Sequence, residues 1–107
     1  MPIQQPESSS NLIGKRLREA RVRANIPQDK LGVLIGLDES SSSARISRYE
    51  TGIHEPALAT AQQLARILKV PLCFFYCEDD VMADLILSLH VLKKSELQQL
   101  MLGYRRD

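Results

Sequence analysis

The chain has 107 residues, enough for one small domain around a single core, and no run approaches 18 apolar residues, which excludes a membrane-spanning helix. Apolar residues make up 44 % and charged residues 25 %; with no Trp and only 5 % aromatics the core has to rest on Leu, Ile, Val and Ala, a composition that favours helices. The net charge of +1 hides an asymmetry: residues 11–70 carry ten Lys/Arg against six Asp/Glu and residues 71–107 four against six, so a basic, polyanion-binding front is joined to an acidic rear.

The opening stretch MPIQQPESSS has neither a basic n-region nor an apolar h-region. It is read as a disordered lead over residues 1–10 and not as a signal peptide, so the protein is expected to remain in the cytoplasm. Asn11 is then a candidate N-cap. In LIGKRLREARVRA, Ile13, Leu17, Ala20 and Ala24 fall on one helical face, while Lys15, Arg16, Arg18 and Arg23 form a solvated one. Asn25 ends this first helix in a left-handed cap.

Pro27 suits the first position of a short second helix from Gln28 to Ile35, with Leu31, Leu34 and Ile35 inward. Gly32 lies inside it at a cost of about 1 kcal/mol against alanine, a cost that close packing against a neighbouring helix would explain. Gly36 stops the helix. Four serines follow, Ser40 to Ser43, and lead into ARISRYET, a third helix ending at Gly52. The serines either form a loop or extend that helix by about one turn; the reading adopted is a turn over Asp38–Ser40 with the cap at Ser40 or Ser41.

After the loop GIHEP, a fourth amphipathic helix places Ala57, Ala61, Leu64, Ala65 and Leu68 inward. Pro71 restarts a short fifth helix, PLCFFYC. The acidic run Glu78, Asp79 and Asp80 opens a sixth with Met82, Leu85, Ile86 and Leu89 as its core face, and Ser95 with Gln98 forms a capping box for a last helix from Glu96 to about Gly103. No strand alternation and no repeat is visible, so the fold class is all-α. Cys73 and Cys77 lack the further ligands a metal site needs, and are read as passive, mostly buried thiols in a reducing compartment. No metal or cofactor is expected.

Gln28-x3-Gly32-x3-Gly36 followed by Ile46-Ser47-Arg48-Tyr49-Glu50-x-Gly52-x3-Pro56 resembles the helix-turn-helix of the Cro and phage-repressor, or XRE, regulators, over about residues 12–76. The resemblance implies a lambda-repressor-like five-helix DNA-binding domain over residues 11–77, with a C-terminal helical extension over 78–107 for dimerisation. It implies that Gln28 clamps a phosphate at the start of the second helix, and that Ser43, Ala44, Ser47 and Arg48 face bases. His54, in the Gly52–Glu55 loop, makes a second phosphate contact. Arg21 and Glu50 match a structural ion pair between the first and third helices. The sequence departs from the family in having glycine at position 32 in place of the usual alanine, proline at 27 where serine is frequent, and four extra residues between Gly36 and Ile46.

The residues themselves give a compatible picture. With Ile46 in the core, steps of 100° turn Ser41, Ala44, Arg48 and Thr51 outward, flanked by Ser40 and Ser47, while Tyr49 and Glu50 turn inward. A small polar face with one arginine at its centre can enter the major groove, where Arg48 can hold guanine in a bidentate contact. Arg45 projects to one side as a phosphate contact or as the partner of Asp38 or Glu39. Ser42 is grouped with the DNA-contacting set.

The function expected is a sequence-specific transcriptional regulator, a repressor binding a palindromic site on double-stranded DNA as a homodimer. The alternative is an antitoxin or protein-partner module that autoregulates through the same motif. No small-molecule effector is specified. An enzyme is disfavoured, since neither paired carboxylates in a pocket-like context nor a nucleophile–histidine spacing is present.

Overall fold

The computed structural model describes residues 11–105; the lead predicted to be disordered, residues 1–10, lies outside the described residues. Six α-helices follow one another: α1 (Leu12–Arg23), α2 (Gln28–Leu34), α3 (Glu39–Thr51), α4 (Leu58–Leu68), α5 (Asp80–His90) and α6 (Lys94–Tyr104). The fifth helix predicted from the sequence is a 3-10 helix, Leu72–Tyr76, between α4 and α5. No strand occurs among the described residues, so the fold is all-α.

The turns form where the local chemistry allows them. Asn25 takes a left-handed φ of 61° after α1, and Gly36 and Gly52 take φ of 95° and 82° after α2 and α3, conformations that asparagine and glycine adopt at least cost. Pro27 stands one place earlier than expected, at the N-cap of α2. Asn11 occupies the N-cap position of α1, but its side chain makes no capping bond, and its buried Oδ1 has no partner among the described residues.

Leu17, Leu31, Ile46, Leu64, Phe74 and Phe75 centre the core, with Ala20, Ala61 and Ala65 permitting close helix contacts. Five predicted inward positions are exposed instead, Met82 and four others. Ala24 and Ala57 lie at helix ends, Leu34 on the outer side of α2, and Leu85 on α5. The face of α5 that packs on the core carries Ala83, Ile86 and Leu87, which leaves Met82 exposed as well. The predicted Ser95–Gln98 capping box does not form. The Lys93 N–H donates to the Glu96 carboxylate at 2.8 Å, and α6 begins two residues earlier than expected. Cys73 is exposed and Cys77 only half-buried; both are free thiols.

The largest correction concerns Arg16. Expected on a solvated face, it is 1 % exposed. Its Nε donates to the Cys77 carbonyl at 2.8 Å and its Nη2 to the Glu78 carbonyl at 3.1 Å. Nη1 lies 3.0 Å from both Glu19 and Asp80, and the guanidinium lies 5.7 Å from the Phe74 ring centroid. A planar fork with five donors can satisfy two carbonyls and two carboxylates at once, so the charge is buried without being stranded. Lys15 adds a bond to Asp80 at 3.1 Å. Lys15, and then Arg16, hold the Asp80 carboxyl below the usual carboxylate range. This cluster fastens the start of α5 to α1.

Candidate nucleic-acid interface

The serine run is helical. Asp38, with extended backbone, is the N-cap of α3; its carboxylate accepts the Ser40 N–H at 3.1 Å and the Ser40 hydroxyl. These two bonds hold the Asp38 carboxyl below its ordinary range. The cap therefore lies two or three residues upstream of the expected Ser40 or Ser41. The four extra residues become the first turn of a 13-residue helix. Aspartate is among the strongest N-caps and needs no help from the serines after it.

Ser42 does not belong to a DNA-contacting set. It is fully buried, and its hydroxyl donates to the Asp29 carbonyl of α2. Four residues before Ile46, it shares the core face, a relation that the 100° step already contains. Gly32 is the other half of this contact. A Cβ there would stand 2.8 Å from the Ser42 Cβ and 3.0 Å from its Cα. The glycine at position 32 and the lengthened α3 are thus one device, since the added turn places Ser42 in the space an alanine would fill.

Of the other expected contacts, Ser43, Ala44, Arg45, Arg48, Thr51 and His54 are exposed and Ser47 is half-buried. Arg45 pairs with no carboxylate among the described residues, neither Asp38 nor Glu39. The Thr51 hydroxyl is turned back onto the Ser47 carbonyl at 2.9 Å, which occupies its donor. His54 follows the left-handed Gly52, and its N–H donates to the Arg48 carbonyl at 3.2 Å. That bond keeps the loop close to the end of α3.

A connected set of side chains holds α3 in place. Arg21 donates through Nε and Nη2 to the two oxygens of Glu50, the latter at 3.2 Å, and through Nη1 to the Ile26 carbonyl at 3.1 Å. Gln28 Nε2 donates to the same Glu50 at 3.1 Å, and its Oε1 faces the Ser43 hydroxyl at 3.4 Å. Glu50 is thus joined at once to α1 and to the first residue of α2. From the sequence, Arg21–Glu50 is legible and the bridge through Gln28 to Ser43 is not. Gly14 is a further residue that the sequence reading passed over. A Cβ there would lie 2.5 Å from the Glu50 carbonyl oxygen and 2.6 Å from that of Tyr49, so α1 rests directly on the last turn of α3. Its signal was a glycine inside an amphipathic helix.

A family model described as helix-turn-helix matches residues 17–75. Uncharacterized HTH-type transcriptional regulators of Sinorhizobium medicae (strain WSM419) and Rhizobium meliloti (strain 1021) are each 31 % identical over 64 residues, 60 % of this chain and 43 % of theirs. The matched segment spans less than half the length of those relatives. The crystal structure of the transcriptional regulator BswR superposes with a TM-score of 0.83 and 40 % identity, covering 88 % of this chain and 93 % of that one. Coverage of that extent reaches beyond residues 17–75 and takes in part of the C-terminal helices.

Proposed function

The chain belongs to the XRE-type helix-turn-helix family of transcriptional regulators, and from that premise we propose that it represses transcription as a homodimer bound to a palindromic operator through α3. The observation that carries the reading is the exposed face of α3, where Ala44 and Arg48 lie side by side with Arg45 at the edge, on a helix clamped by the Arg21–Glu50–Gln28 bridge. A clamped helix presents its side chains at a fixed depth, which base-edge recognition requires.

In this reading Arg48 contacts guanine, Ser43, Ala44 and Ser47 meet neighbouring base edges, and Gln28, Arg45 and His54 contact phosphates. Thr51 packs along the edge of the groove through its methyl group. Two copies of α3 reach successive major grooves about 34 Å apart. The dimer surface is the apolar side of α5 and α6 that this chain leaves exposed, including Met82, Leu85, Leu100 and Met101, since an apolar patch of that kind on a soluble protein marks an interaction site.

Selection of bound DNA from a random pool tests the recognition. A two-fold symmetric consensus is expected, and Arg48→Ala should cost about 1–3 kcal/mol in affinity and relax one base pair. A uniform loss with an unchanged consensus contradicts the assignment of Arg48. Sedimentation equilibrium of the full chain and of its Leu85→Glu and Met101→Glu variants tests the interface; a dimer that both variants preserve rules it out.

A further inference from the structure

We infer that the added turn at the start of α3 lengthens the sequence read in each half-site, and that Ser41 is the residue that reads it. The inference rests on the proposed role of α3 in operator binding. Ser41 lies three residues before Ala44 and seven before Arg48, so the three form one stripe along the helix, and all three are exposed. The stripe holds its direction because the residue beside Ser41 is anchored: Ser42 is buried against Gly32 and bonded to the Asp29 carbonyl. The added turn therefore cannot rotate or fray independently of α2.

The hydroxyls on this turn are not equivalent. That of Ser40 is bound to the Asp38 carboxylate and that of Ser42 is buried, while that of Ser43, with only a 3.4 Å contact to Gln28, lies about 100° or more around the helix from the stripe. Ser41 Oγ has only a 3.3 Å contact to the Asp38 carbonyl, long for a hydroxyl bond, so it can turn to a base edge as donor or acceptor. The carboxylates at this end do not oppose the approach. Asp38 is engaged in the cap, and Glu39, 20° from Ile46 around the helix, points away from the stripe. Four residues of helix add about 6 Å, against 3.4 Å per base pair. The extension thus reaches one base pair, and at most two, past those met by Ala44 and Arg48.

The test is selection from a random DNA pool with the full-length protein, its Ser41→Ala variant and its Ser41→Arg variant, with thermal melts to establish that each is folded. Ser41→Ala should lose about fivefold of the preference at one base pair on the side of the Ala44 position away from Arg48, and keep the consensus elsewhere. Ser41→Arg should move the preference at that same pair towards guanine. An unchanged consensus in both variants overturns the inference. So does an equal loss on all sequences, which would make Ser41 a phosphate contact. If the unaltered protein enriches no sequence, the proposed operator recognition itself falls, and the two failures are told apart.

Discussion

Residues 12–76 and residues 80–104 are both built of short amphipathic helices, yet they bury very different shares of what they carry. Every apolar side chain buried in the core among the described residues, apart from Ala83, belongs to the first region. In the second, α6 buries no residue at all, and Leu100, Met101 and Leu102 are each more than half exposed. An isolated helix of 11 residues is marginal in water, so most of its stability has to come from packing. The first region supplies that packing to itself. The second is fastened by the Arg16 cluster and by the packing of Ala83, Ile86 and Leu87 on the core, and otherwise offers apolar surface to something else, a second copy in the proposal above.

The difference can be broken from the first region most forcefully at Glu50. Glu50→Ala leaves the Arg21 guanidinium partly buried without its partner and removes an acceptor from Gln28, at an expected cost of about 3–5 kcal/mol. Urea unfolding measures it, and a loss below about 1 kcal/mol would show that the network does not hold α3.

Arg16→Met tests the fastening. It removes two bonds to carbonyls and two to carboxylates, each kind worth about 1.5–3 kcal/mol when a charge is involved and other partners are not restored. Hydrogen exchange should quicken in residues 78–104 well before residues 12–76. Equal acceleration in both would mean that the two regions open as one unit.

Gly32→Ala sharpens the account of the first region itself. Overpacking against Ser42 should cost about 1–3 kcal/mol. In a double-mutant cycle with Ser42→Gly the two changes should couple favourably; strict additivity would separate the glycine from the added turn.

The smallest effect is on pH. The Asp80 carboxyl is depressed in the folded protein by Lys15 and Arg16, so its contribution is complete above the unfolded carboxylate value of about 3.9 and is lost as pH falls through the lower folded value. Exchange protection of α5 should therefore decline below about pH 4, and Asp80→Asn should remove that dependence. A decline that persists in Asp80→Asn would assign it to another carboxylate.

How much of this was legible in the sequence follows from the range of the interactions. Helix order, the left-handed cap at Asn25, the helix ends at Gly36 and Gly52 and, once Ile46 is set inward, the inward Tyr49 and Glu50 and the outward Ala44 and Arg48 all follow from spacing and residue type, because a 3.6-residue period and a helix stop are properties of a few neighbouring residues. The pair Arg21–Glu50 was reached through the family resemblance. Three things waited for the tertiary structure. Arg16 looked like a surface charge because its partners, the carbonyls of Cys77 and Glu78, lie more than 60 residues away. On α5, the period marks a wide apolar arc but cannot say which side of it meets the core, and Ala83 rather than Met82 or Leu85 was taken. Ser42 reads as polar loop until α2 is laid across it, when a hydroxyl, a carbonyl and the missing side chain of Gly32 are seen to fit one another. Local periodicity assigns residues to faces. Which face is buried, and which polar group is satisfied inside, depends on surfaces brought together from distant parts of the chain.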